Sequence, residues 1–171
     1  MGNMVYRPMR RKDREVSDPR WMESVLSSGV TCYLSLFDGE WPYVIPLSYG
    51  YSEGHLYFHS AKAGKKIDII RENPRTSFAV DVETICAPES RIETGSVPPY
   101  RSVIGYGEIE IIPDDQEDRK REALNILAVH HGRERRETPR PKRMLDRVCV
   151  LDLTIIHMTG KEKKPSNERS C

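Results

Sequence analysis

Between residues 30 and 59 the sequence sets three strand-like runs around two tight turns, and no other stretch restricts the possible folds so strongly. Residues 30–37 (VTCYLSLF), 41–51 (WPYVIPLSYGY) and 55–59 (HLYFH) are rich in β-branched and aromatic residues, which favour strands. Asp38-Gly39 and Ser52-Glu53-Gly54 separate them and supply turn chemistry. Strands joined so closely pair antiparallel, so a meander is expected.

The remaining pattern alternates between helical and strand periods. Asp18-Pro19 is an N-cap followed by a proline in the first turn, Trp21, Met22, Val25 and Leu26 share one face, and Gly29 stops the helix. Gly64 to Asn73 places Ile67, Ile70 and Arg71 at helical spacing, and Asn73-Pro74 ends it. Residues 75–82 alternate as a strand, 84–98 read as a long loop, and 100–112 as a long strand with a half-exposed end. Pro113-Asp114-Asp115 opens a second long helix with an acidic start and His130, His131 and Gly132 at its end. Residues 147–157 form a closing strand, and the tail after Lys161 is polar. The expectation is a mainly β, α+β domain over residues 1–161: six antiparallel strands closing a small barrel, two or three helices outside it, and a tail at 162–171.

Composition narrows the function classes. A chain of 171 residues suits one domain with a real core. The net charge of +1 gives no overall field toward nucleic acid or an anionic membrane. No apolar run approaches the ~20 residues of a membrane span. The basic N-terminus has no apolar stretch behind it, and Tyr6 occupies the position where a myristoylation signal needs Ser or Thr. Cys32, Cys86, Cys149 and Cys171 are not at metal or redox spacing, and a reduced, cytoplasmic protein is expected. The basic run 133–143 is interrupted by Glu134 and Glu137, lacks aromatics and reads as a solvated loop. His130 and His131 are adjacent and point about 100° apart on a helix, so no metal site is expected there.

Three segments carry chemistry. Pro46, inside Val44-Ile45-Pro46-Leu47-Ser48-Tyr49, gives up a ladder N–H; the strand is then an edge or bulged, or it faces a flat polar ligand. His59-Ser60-Ala61, a glycine-containing turn and Lys65-Lys66 at a helix start together make an anion site on physical grounds, although a solvated basic turn fits as well. His59 by itself reads first as a packed strand histidine. Beyond Arg101-Ser102-Val103, Gly105 and Gly107 share one sheet face, which either relieves barrel strain or leaves room for a planar ring.

In this order and spacing, the segments resemble the Nim-type 5-nitroimidazole-resistance flavoproteins of the pyridoxamine-phosphate-oxidase-like superfamily. The resemblance runs from Met9-Arg10-Arg11-Lys12-Asp13-Arg14 through Pro42 to Tyr49, Tyr57 to Ala61, Gly64 to Asp68 and Tyr100 to Val103, and ends at Met158-Thr159-Gly160-Lys161. It implies a split β-barrel homodimer with FMN at the subunit interface. Residues 44–49 would lie beside the isoalloxazine, His59, Ser60, Ala61, Lys65 and Lys66 would take the ribityl-phosphate end, and Arg101, Ser102 and Val103 would contribute nearby or to the partner's flavin. The family commonly has Gly-His-Lys where this chain has Gly64-Lys65-Lys66.

The function implied is a flavin-dependent oxidoreductase that reduces a nitroaromatic. His59 is the candidate proton donor, since imidazole titrates near neutrality. The alternatives are a flavin carrier or redox sensor without turnover, and FAD, the deazaflavin F420 or haem as cofactor. Haem would need an axial ligand from His55, His59, His130, His131 or His157. No dinucleotide fingerprint is present, so a nicotinamide donor would bind transiently over the flavin.

Overall fold

A computed structural model describes residues 6–83, 99–136, 138 and 140–164. A 3-10 turn at Lys12–Arg14 precedes β1 (Glu15–Val16) and α1 (Pro19–Ser28). The chain continues through β2 (Thr31–Phe37), β3 (Pro42–Ser48), β4 (Gly50–Ser52), β5 (His55–Ser60), α2 (Lys65–Glu72), β6 (Arg75–Glu83) and β7 (Tyr100–Ile111). It ends with α3 (Glu117–His130), α4 (Lys142–Leu145) and β8 (Cys149–Lys163). The expected loop at 84–98, Cys86, Cys171 and residues 165–171 of the tail lie outside the described residues.

All strand pairs are antiparallel, in the order β3-β2-β6-β7-β8-β5-β4, with β1 added to the far end of β8. Both pairings of the expected meander are present but use different parts of the 41–51 run: 42–48 pairs with β2 and 50–52 with β5, which pairs on its other side with β8. The strand expected at 41–51 is divided because the chain bends at Tyr49, whose side chain is fully buried. Since Ser48 and Gly50 are two residues apart, the two ends of the sheet approach within about 7 Å there, and the sheet must curl into a split barrel. The described strands number eight rather than six because of this division and the short β1. β8 outruns its expected limits because it has partners along its length: β5 early, β7 throughout and β1 at the end.

Alternating residues of these strands fill the barrel: Cys32, Leu34, Leu36, Leu56, Phe58, Phe78, Val80, Val103, Ile109, Leu151 and Leu153 are buried together. α1 adds Met22, Val25 and Leu26, and α2 adds Ile67, Ile69 and Ile70, each from one apolar stripe. Asp18 caps α1 by accepting the Arg20 N–H at 3.0 Å. The other end of α1 is held by side chains: Tyr49 donates to the Leu26 carbonyl at 2.6 Å, and His130 Nε2 lies 2.7 Å from the Gly29 carbonyl. With Nε2 donating, Nδ1 is left to accept the Tyr51 N–H, and burial pushes the His130 pKa down, toward the neutral ring this arrangement needs. Among the described residues no helix is long and apolar enough to cross a membrane.

Candidate functional site

The sheet's outer side carries one half of the candidate site. On the edge strand β3, Val44, Pro46 and Ser48 point outward, while Tyr43, Ile45 and Leu47 pack on the core. Register carries this outer face across the sheet. Pro46, Tyr33, Ala79, Ile104 and Thr159 form one row, and Val44, Ser35, Ser77, Tyr106 and His157 the next. Tyr33, Val44, Ile104 and Tyr106 are all exposed, so apolar side chains stand among the small polar ones on this face. Tyr6 borders it, stacked on His157 with centroids 3.8 Å apart. Ser102 belongs to the same face, between Asp81 and Lys161. Arg101 is half-buried at the start of β7.

Tyr49 and Val103, expected at the cofactor, have fully buried side chains, which leaves their backbone groups to face it. Gly105 and Gly107 face the barrel interior and leave no slot for a ring. A methyl group on Gly105 would overlap the ring of Phe78, and one on Gly107 would meet the Thr154 carbonyl and the Leu153 side chain. The glycines serve close packing beside the bulge between Tyr106 and Gly107.

The other half lies where β5 passes into α2. His59 and Ser60 are consecutive in a strand and face opposite sides: His59 is exposed on the outer side, and Ser60 stands beside Cys149 on the inner side. The Ser60 hydroxyl donates to the Ala61 carbonyl at 2.9 Å. Gly64, at a positive φ of 116°, turns the chain into α2, which has no side-chain cap. Burial pushes the Cys149 thiol up, while Lys66, half-buried in the first turn of α2, follows Ser60 by six residues in the chain. Lys66 has no carboxylate partner among the described residues. Lys65 is engaged: its Nζ lies 2.7 Å from Asp38 Oδ2 and 5.1 Å from the Tyr43 ring centroid. Ser60 and the α2 start with Lys66 thus flank one short turn, and His59 faces the opposite side of β5 from Ser60.

Within one chain Arg101 and Ser102 lie far from the β5–α2 junction, whereas Lys65 at that junction reaches Tyr43 on β3. Ile111 pairs with Leu151, close to the Ser60–Cys149 level, while Ser102 lies nine residues earlier on β7, or roughly 30 Å of strand.

The sequence profile of the pyridoxamine 5'-phosphate oxidase family matches residues 18–162. The chain belongs to this family. Solved structures agree on the fold. A candidate 5-nitroimidazole antibiotic resistance protein from Bacteroides thetaiotaomicron superposes with a TM-score of 0.71 at 24% identity, covering 86% of each chain. An FAD-binding protein from Mesorhizobium loti gives 0.66 at 26%, covering 88% of this chain and 98% of that one. An FAD- and haem-binding protein from Mycobacterium smegmatis gives 0.74 at 19%, covering 92% and 77%. No curated protein matches the sequence.

Two charged clusters of this family member escape sequence reasoning. Asp114 joins Lys62 at 2.6 Å to Lys120 at 2.7 Å, and Lys120, only 1% exposed, also donates to the carbonyls of Leu145 and Val148. Asp152, buried in β8, takes His55 Nδ1 at 2.8 Å and Arg119 at 2.7 Å, while Arg119 also reaches Glu110. Lys120 had a signal, since it lies three residues before Ala123 on the apolar face of α3. Asp152 had none, because its partners come from β5 and α3, distant in sequence.

Proposed function

We propose that the chain binds FMN and works as a flavin-dependent oxidoreductase on a nitroaromatic or related small molecule. The observation that carries this reading is the donor set at the β5–α2 junction. Among the described residues the half-buried Lys66 forms no ion pair with a carboxylate, the Ser60 hydroxyl ends the strand that leads into the same turn, and an uncapped helix start adds backbone N–H groups, together the chemistry a phosphate monoester requires. One such junction suits the single phosphate of FMN better than the diphosphate of FAD. The outward-facing Val44, Pro46, Ser48 and Ser102 offer apolar contact and hydroxyl partners for a planar ring. The FAD-binding Mesorhizobium protein and the candidate resistance protein of Bacteroides support the same cofactor class and substrate class.

Because Arg101 and Ser102 lie so far from the β5–α2 junction in one chain, the reading includes a homodimer. Ser60 and Lys66 of one copy and Arg101 and Ser102 of the other then complete one site. Bound flavin supplies reversible two-electron chemistry. The residues of this chain hold its phosphate, shield one side of the ring with the Pro46 strand, and offer His59 as a proton donor on the outer side. Haem has less support. Of the histidines weighed, His130 has both ring nitrogens engaged, by the Gly29 carbonyl and the Tyr51 N–H, and His157 is stacked on Tyr6.

The test is an absorbance spectrum of the purified protein, then mass spectrometry of the released cofactor. Flavin bands and an FMN mass are expected. A Soret band, a deazaflavin or FAD would each replace FMN. NADH or NADPH oxidation coupled to a nitroimidazole then separates an oxidoreductase from a flavin carrier, which passes electrons to no acceptor.

A further inference from the structure

The two lysines that open α2 are not equivalent. Asp38 Oδ2 holds Lys65 at 2.7 Å, and Asp38 Oδ1 accepts the backbone N–H groups of Glu40 at 2.9 Å and Trp41 at 2.6 Å. The carboxylate is thus anchored in the β2–β3 turn, is only 16% exposed, and cannot follow Lys65 if that side chain swings toward a ligand. All three donors hold the Asp38 carboxyl well below the usual range, the Lys65 bond most of all. Lys65 also lies over the Tyr43 ring, a second contact that favours this rotamer. Beside it Lys66 has no such anchor.

Resting on the FMN reading above, we propose that Asp38 is a positioning residue: it keeps Lys65 out of the phosphate site, so that Lys66 alone meets the phosphate. The Asp38–Lys65 pair is neutral as a unit and adds little field at the α2 start. The junction then offers one net positive side-chain charge, matched to a monoester, in place of two. Loss of the Asp38 charge frees a second ammonium one residue away and raises the site's preference for a phosphorylated flavin.

The test uses the full-length chain freed of bound flavin and titrated with FMN and with riboflavin. The readout is the ratio of the two Kd values, which isolates the phosphate. Lys66→Met is expected to lower the preference for FMN by about tenfold, the loss of one charge-assisted contact. Lys65→Met is expected to leave it within about twofold. Asp38→Asn keeps Oδ1 for the turn and is expected to raise the preference by about threefold to tenfold, a gain that Asp38→Asn/Lys65→Met loses. The proposal is overturned if Lys65→Met costs as much as Lys66→Met, or if Asp38→Asn leaves the ratio unchanged in a variant that melts like the wild type. Lys65→Met decides the matter by itself if the turn does not tolerate Asn. A chain that binds riboflavin as tightly as FMN overturns this proposal and leaves flavin binding standing, whereas binding of neither defeats the FMN reading itself.

Discussion

Lys120 sits in α3 where the helical period asks for an apolar side chain, and it is tolerated there because three acceptors surround its Nζ. Among the described residues its only carboxylate partner is Asp114, which Lys120 and Lys62 hold well below the usual carboxylate range, at about 2. A carboxyl depressed by folding stabilises the fold above its unfolded pKa and loses that contribution as pH falls through the folded one. The window is therefore about pH 4 to 2. Asp114 is 57% exposed, so after allowance for solvent screening the effect is about 1 kcal/mol. Asp114→Asn is expected to be less stable than wild type by about that amount at pH 7, with the gap closing near pH 2; urea melts at several pH values measure it. A gap that persists at pH 2 assigns the loss to packing instead of charge. Residue-scale legibility follows the same division. The two-residue period of a strand already separates Val44, Pro46 and Ser48 from Ile45 and Leu47, and His59 from Ser60. The partners of Lys120 and Asp114 come from folding, because Leu145, Val148 and Lys62 lie on other segments.

At the scale of elements, turn residues and periodicity located α1, α2 and the β2–β3 hairpin within a residue or two, because Asp18-Pro19, Gly64 and Asp38-Gly39 act locally. They did not reveal the break at Tyr49, which depends on tertiary contacts. A methyl group on Gly50 would lie 2.7 Å from the Leu127 Cα and 2.8 Å from its nitrogen, so α3 seats directly on β4 only because Gly50 lacks one. Gly105 is different, since its obstacle is the Phe78 side chain. A side chain can turn aside and a helix backbone cannot. Gly105→Ala is thus expected to cost about 1–2 kcal/mol and to be partly rescued by Phe78→Leu, whereas Gly50→Ala costs about 3 kcal/mol or more because α3 must shift. Thermal melts of the three variants and the double variant check this ranking. Equal costs, or no rescue by Phe78→Leu, would contradict the packing account.

Across the whole molecule, the curl of the sheet was legible only in part. Short strands and tight turns announced a small barrel, but the strand order rests on β8 reaching β5, β7 and β1, none of which the local pattern specifies. That order puts Tyr33, Phe37, Val44, Ile104 and Tyr106 in the open on one side of the sheet. An apolar face of this kind is the surface to which we assign the proposed homodimer. The wild type is expected at twice the 19.7 kDa chain mass in light scattering. Ile104 is 49% exposed in the single chain, so Ile104→Lys costs an isolated fold within about 0.5 kcal/mol and keeps its circular dichroism. Placed against a second copy, the same ammonium is desolvated without a partner, and the dimer is lost. If each site draws Ser60 and Lys66 from one copy and Ser102 from the other, the monomeric variant also releases its flavin, and both changes follow the same protein concentration. A variant that remains dimeric shows that another surface pairs the chains, and a monomeric variant that keeps its flavin shows that one chain holds the whole site.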